Sequence, residues 1–255
     1  DSIMNYITQF TEADQLHELC SVLQASSVPT VTKYAGVKLS NLTYNDVRHL
    51  VDDNAYIDSA TGKIVPPKNY KAATTRSDWL LWKYAIDVEL TNFITRQVHS
   101  QLTLDECRAE GVSTSAVHSQ FVFTCKYDQI TGDFEKPKAR WVVTGTRAQM
   151  KLGEHYFEIY SPAPCPLATR LMQCIVCGKN KHRAAADIVC AYLNSVLEKH
   201  GWTILRLPDG MEVVSEGVTR RYVIARRGQY GTPNAALYRQ RELDNFLLSA
   251  FNNAD

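Results

Sequence analysis

The sequence predicts an α+β fold, and three observations carry that prediction. Three stretches space their apolar residues as helices do: "SDWLLWKYAIDVELTNFI" (77–94), "PLATRLMQCIVCG" (166–178) and "RQRELDNFLLSAF" (239–251). Two others, "HSQFVFTCKY" (118–127) and "KARWVVTG" (138–145), alternate apolar and polar residues with the period of a half-buried strand. These segments follow one another in mixed order, joined by hairpins rather than regular crossovers, which separates α+β from an alternating α/β arrangement.

Composition sets the outer bounds. The chain has 255 residues, 45% hydrophobic and 22% charged, enough to build a sizeable core in one or two domains. No apolar run approaches membrane-spanning length, and "DSIMNYITQF" lacks the basic start and apolar core of a secretory signal, so neither membrane nor secretion is expected. A start at Asp1 suggests a fragment or processed product. Seven cysteines without framework-like spacing fit reduced thiols in a cytoplasmic setting. The net charge of +1 hides an asymmetry: 17 acids outnumber 11 Lys and Arg up to Glu135, whereas 136–186 holds nine Lys and Arg against Glu154 and Glu158. A second basic stretch, 219–241, has six Arg and no acid. Positive blocks inside a folded region point to a polyanionic partner such as nucleic acid.

Residues 1–74 read as an upstream linker or small helical module, with short helices at "EADQLHELCSVLQ" (12–24) and "NDVRHLVDD" (45–53) and a loop-like end over 60–79. Ser77 then caps the first long helix, whose Trp79, Trp82, Ile86, Leu90 and Phe93 share one face as core anchors. The turn-rich "DQITGDFEKP" joins the two alternating strands into a hairpin. On it Lys126 falls on the Val122/Thr124 face and Arg140 on the Val142/Thr144 face. In the helix over 166–178, Leu167, Leu171, Cys174, Ile175 and Gly178 lie near one face. "AAADIV" (184–189) reads as a short buried strand, and "WTILRL" and "RRYVIA" as later strands.

The lone acid of that buried strand, Asp187, needs an explanation, because a buried carboxylate must be neutralised, paired or bound to a cation. A backbone amide or a nearby Arg is the plain solution. Cys174-x-x-Cys177 has half the spacing of a zinc site, which His155, Cys165, His182 or Cys190 would have to complete. Packing is the commoner role of such a pair on an apolar helix face.

The motifs "WKYAIDVEL", "VFTCKYD", "KARWVVTG", "HYFEIYSP", "ADIVCAYLNSVLE", "LPDG" and "QYGTPNAALYRQRELDNFLL" occur in an order and spacing that resembles the reverse transcriptase of copia-type long-terminal-repeat retrotransposons, over roughly positions 77–250. The resemblance implies that 75–255 forms polymerase fingers and part of a palm, with a β-hairpin and an incomplete antiparallel palm sheet plus helices. It implies RNA-directed DNA polymerase activity in the parent enzyme: nucleotidyl transfer from deoxynucleoside triphosphates to a DNA primer on an RNA or DNA template, with two Mg2+ ions. The remainder of a polyprotein would be a further partner, in the cytoplasm or within retrotransposon particles. By the same resemblance Asp187, in the pattern D-x-x-x-A-[FY]-L, is a magnesium ligand and Tyr192 the aromatic gate under the sugar. Lys126 and Arg140 would contact the triphosphate, and Gly231 belongs to the loop that positions nucleotide and template. That loop usually reads L-Y-G-L-K-Q-A-P-R-x-W-Y; this chain keeps Tyr230, Gly231 and Ala235 but departs at Thr232, Pro233, Asn234, Ala236, Leu237 and Arg239. The family's second acidic motif, Y-x-D-D, does not occur here, so the resemblance implies a fragment holding about half of a two-metal site and not polymerising by itself. The alternative is a non-catalytic nucleic-acid-binding remnant of a retroelement.

Overall fold

The computed structural model describes residues 33–34, 37–52, 54–100, 104–109, 115–144, 150–161, 165–179, 188–211, 213–215 and 218–252. The helix expected over 12–24 lies outside the described residues, as does Asp187. A two-residue pair, β1 (Lys33–Tyr34) and β2 (Val37–Lys38), precedes the short helices α1 (Tyr44–Val47) and α2 (His49–Asp52). Thr43 and Asp46 close a reciprocal capping box at the start of α1. A helix α3 (Tyr70–Thr74) interrupts the segment expected to be loop-like, because the Asn69 side chain accepts a hydrogen bond from the Ala72 N–H at 2.8 Å and starts a turn.

The long helix α4 (Trp79–Thr95) begins one residue later than expected, with Asp78 rather than Ser77 at the cap position. Asp78 is buried and turns its carboxylate inward. Arg76 donates to it through Nε at 2.8 Å and Nη2 at 2.7 Å, while Asn54 Nδ2 and Trp82 Nε1 donate at 3.0 Å each. Burial would raise its pKa, but these hydrogen bonds outweigh burial and hold it below the usual carboxylate range. Trp82, Ile86, Leu90 and Phe93 are fully buried, so the helix presents the apolar face its spacing requires.

After β3 (His99–Ser100) and α5 (Leu104–Ala109), the chain forms the predicted hairpin, β4 (Val117–Tyr127) and β5 (Phe134–Val143). The Asp128 carboxylate accepts from the N–H groups of Ile130 and Thr131 in its turn. There follow α6 (Pro166–Gly178), α7 (Ala191–Asn194), β6 (Thr203–Arg206), the small pair β7 (Val213–Ser215) and β8 (Val218–Arg220), β9 (Tyr222–Ala225) and α8 (Ala235–Asn252). The five-stranded sheet runs β3-β9-β6-β4-β5. Neighbours are antiparallel except β4 and β6, which pair in parallel through Val117 and His118 with Leu205 and Arg206. One core joins α4 to the hairpin: Phe93 stacks on Trp141 at 5.4 Å, and Trp82 meets Phe123 edge-on at 5.5 Å. Val37, Ile64, Tyr70 and Ala73 from the upstream segment belong to the same buried cluster.

Two expectations need adjustment. The helix α6 has the predicted limits, yet no residue of it is buried, and Leu167 is 73% exposed. Ile188 and Val189, the described end of the strand expected over 184–189, are exposed and lie outside any strand. Cys190 follows with a left-handed backbone, φ 54°, which turns the chain into α7 instead of extending it.

Candidate functional site

The hairpin gathers positive charge on its outer face. Val122 pairs with Arg140, Thr124 with Lys138 and Lys126 with Lys136, and cross-strand partners point to the same side of a sheet. Lys126 and Arg140 are exposed, and Lys138 between them is half-buried. Burial first, then repulsion from Arg140 and Lys126, lowers the Lys138 ammonium from its ordinary value. Lys136 is paired with Glu135 at 2.9 Å, so the remaining three cations form the face an anion would meet.

A loop from the far end of the chain docks beside them. The Val143 N–H donates to the Tyr230 carbonyl at 2.8 Å, which fastens the turn Gln229–Gly231 to the end of β5. Gly231 has φ 91°, and a Cβ there would lie 2.1 Å from the Val143 carbonyl oxygen, so only glycine fits this approach. The Arg140 guanidinium carbon sits 5.7 Å from the Tyr230 ring centroid. The Tyr230 ring in turn meets Tyr192 nearly edge-on at 5.9 Å. Burial, then the neighbouring Cys190 and Glu89, push the Tyr230 hydroxyl up to about 12.

Tyr192 is held by its own helix's ties. Arg96 Nε donates to Asn194 Oδ1 at 2.8 Å and Arg227 Nη1 to the Asn194 carbonyl at 2.6 Å. The Gly228 N–H donates to the Ser195 carbonyl at 2.8 Å, and a Cβ on Gly228 would come within 2.7 Å of the Tyr192 carbonyl oxygen. Arg140, Tyr192 and Gly231, distant in sequence, therefore meet around Tyr230, with Lys126 farther along the same hairpin face.

Two groups beneath this surface, one buried and one half-buried, were missed from the sequence. Glu89, on α4, is 6% exposed, and its Oε1 accepts from the Trp141 N–H at 3.0 Å along the free edge of β5. Burial pushes its carboxyl up to about 7 against the pull of Lys138, Arg140 and Arg96. Its spacing was the available signal, since position 89 follows Trp82 by seven and precedes Phe93 by four, on the apolar stripe. His99 is the second. Burial pushes it down to about 4, and its Nε2 bonds Gln229 Oε1 at 2.8 Å. Gln229 Nε2 donates onward to the Trp141 carbonyl at 3.2 Å. Nothing in the periodicity of a two-residue strand marks His99.

Among the described residues no group of three His, Cys, Asp or Glu could hold a metal ion. His155 uses both ring nitrogens: Nδ1 accepts from the Lys151 N–H at 3.0 Å and Nε2 faces the Ser115 carbonyl at 3.1 Å. Cys165, Cys174 and Cys177 are exposed. Among the described residues no helix is long and apolar enough to cross a membrane. No protein-family model, curated protein or solved structure matches the chain.

Chemically, the arrangement offers exposed cations beside a pair of aromatic rings. That surface can take a phosphate-bearing ligand with a flat or sugar-like part set against the rings.

Proposed function

We propose that the chain is the fingers and first part of the palm of a copia-type reverse transcriptase, whose parent enzyme extends a DNA primer on an RNA or DNA template. The observation that carries this reading is the convergence of Arg140 with Tyr230, Tyr192 and Gly231, since the same positions match the family's motifs for triphosphate, sugar and template contact. In this role Arg140 and Lys126 hold the triphosphate, and a guanidinium suits the task because its rigid fork matches phosphate oxygens. Tyr192 lies under the sugar and disfavours a 2′-hydroxyl. Glu89 and the Trp141 N–H keep the hairpin edge closed on α4 and so set where Arg140 stands.

Asp187 would be a ligand for Mg2+, whose hard oxygen preference suits a carboxylate. The described residues supply no further carboxylate cluster to test that fit. When bound, the two ions would neutralise the charge that develops on the attacking and leaving oxygens. The nucleic acid, the rest of a polyprotein and a location within retrotransposon particles belong to the same proposal.

In a polypeptide that continues this chain through a downstream Y-x-D-D hairpin, Asp187→Asn abolishes primer extension while leaving primer-template binding intact. Retained extension by Asp187→Asn would remove the metal role. An intact polypeptide that binds primer-template in a salt-sensitive way but never extends it would favour a non-catalytic remnant.

A further inference from the structure

Next to the residues that lead into the Gln229–Gly231 turn lies a cleft of about 450 Å³, lined by Gln97, His99, Ser100, Trp202, Arg226 and Arg227 with Val196 and Leu197. Among the described residues its lining carries no carboxylate. The arginines belong to the basic stretch over 219–241 that the hairpin site leaves unexplained.

Arg226 is the informative residue. Its backbone is clamped on both sides, its N–H donating to the Val98 carbonyl at 2.9 Å and its carbonyl accepting from the Leu197 N–H at 3.0 Å. Its guanidinium lies over the Trp202 ring, 4.6 Å from the centroid, and Trp202 is itself tied through Nε1 to the Leu197 carbonyl at 3.1 Å. Yet its buried Nε–H meets no acceptor among the described residues. A buried donor without an acceptor is costly, so a guanidinium left in this condition needs an explanation. Stacking on Trp202 uses the face of the group, so a ligand in the cleft would meet its terminal nitrogens rather than the buried Nε. Arg227 lines the same cleft, and its described hydrogen bond goes to the Asn194 carbonyl rather than to an acid. Glu242, which accepts from the Val196 N–H at 2.8 Å, does not line the cleft.

We propose that this cleft is a phosphodiester-binding site for a nucleic-acid strand, with Arg226 as its principal contact and Arg227, Ser100 and Gln97 as further donors. Position favours a strand over a free anion. The cleft and the hairpin's cationic face flank one loop, and the hydrogen-bonded link His99–Gln229–Trp141 joins the cleft lining to β5. A polyanion that continues past this link meets both surfaces, whereas a single phosphate fills only a corner of a cleft this size. The assignment of that strand as template or primer rests on the proposed function; the site itself does not.

The test is equilibrium binding of a fluorescein-labelled oligodeoxythymidylate to the whole chain across a salt series, with deoxythymidine triphosphate titrated in parallel. Arg226→Gln weakens oligonucleotide binding about five- to tenfold and lowers the slope of log affinity against log salt by about 0.7, the loss of one phosphate contact. Ser100→Glu, which places a carboxylate in the cleft without removing the arginine, weakens the oligonucleotide similarly and decides the matter if Arg226→Gln does not fold. Both variants keep the wild-type affinity for the triphosphate. Wild-type oligonucleotide affinity and salt slope in folded variants would overturn the proposal, as would polyglutamate competing as well as unlabelled oligonucleotide. Loss of triphosphate binding in the wild type, with the oligonucleotide effects present, would count against the polymerase reading and leave the cleft standing.

Discussion

Glu89 occupies a position where the helix it belongs to would be better packed by an aliphatic side chain. It is retained there with its oxygen on the Trp141 N–H, which closes the edge of β5 together with the Gln229 and Tyr230 contacts. The cost appears in its acidity, pushed up to about 7 by burial. The unfolded chain ionises this group near the ordinary glutamate value of about 4.3, so between there and 7 the folded state holds the extra proton. Its contribution to stability is therefore full below about pH 4.3 and is lost as pH rises towards 7. Glu89→Gln keeps an acceptor for Trp141 and never ionises. Its stability relative to wild type should therefore rise between pH 5 and pH 8 by about 2 kcal/mol in urea unfolding. A difference between the two proteins that stays constant with pH would contradict this account. His99 acts with the opposite sign: pushed down to about 4, it binds fewer protons in the folded state, so its contribution is lost as pH falls from about 6.5 towards 4.

At the scale of elements, the hairpin and the Gln229–Gly231 turn form one unit, since Val143 ends the strand and fastens the turn through the same peptide. Gly231→Ala places a methyl group against the Val143 carbonyl in a backbone conformation that L residues avoid. We expect a loss of more than about 2 kcal/mol in thermal or urea unfolding, with the larger part from displacement of the turn. A change below about 0.5 kcal/mol would show that the turn relaxes freely. Much of this unit was legible in advance. Alternation placed Lys126 and Arg140 on their faces, because a half-buried strand exposes every second side chain to solvent. The limits of α6 were legible too, from its apolar spacing, but its exposure was not, because spacing records an apolar face and not what covers it. The turn at Cys190 was hidden because a single left-handed residue leaves no periodic trace.

Across the whole molecule, the upstream residues do more than lead into the hairpin. Ile64, Tyr70 and Ala73 pack into the core that α4 and the sheet share, and Asn54 reaches Asp78 at the start of α4. Long-range packing of this kind is not readable from composition, which showed only a segment rich in turn residues. A chain starting at residue 75 leaves the α4 and β4 surfaces uncovered. It should bind a hydrophobic dye strongly and sediment as aggregates where the full chain does not. A truncated chain that stays monomeric with the same melting temperature would show the upstream contacts to be dispensable.

The proposed function turns on whether Arg140, with Tyr192 and Gly231 beside it and Lys126 farther along the hairpin, receives a deoxynucleoside triphosphate. Calorimetric titration of deoxythymidine triphosphate with Mg2+ into the whole chain tests it most directly. Binding should be saturable, and Arg140→Ala should weaken it at least about tenfold, as expected for losing a charge-assisted contact to phosphate. Equal affinity in wild type and a folded Arg140→Ala variant, or no saturable binding by either, would contradict it.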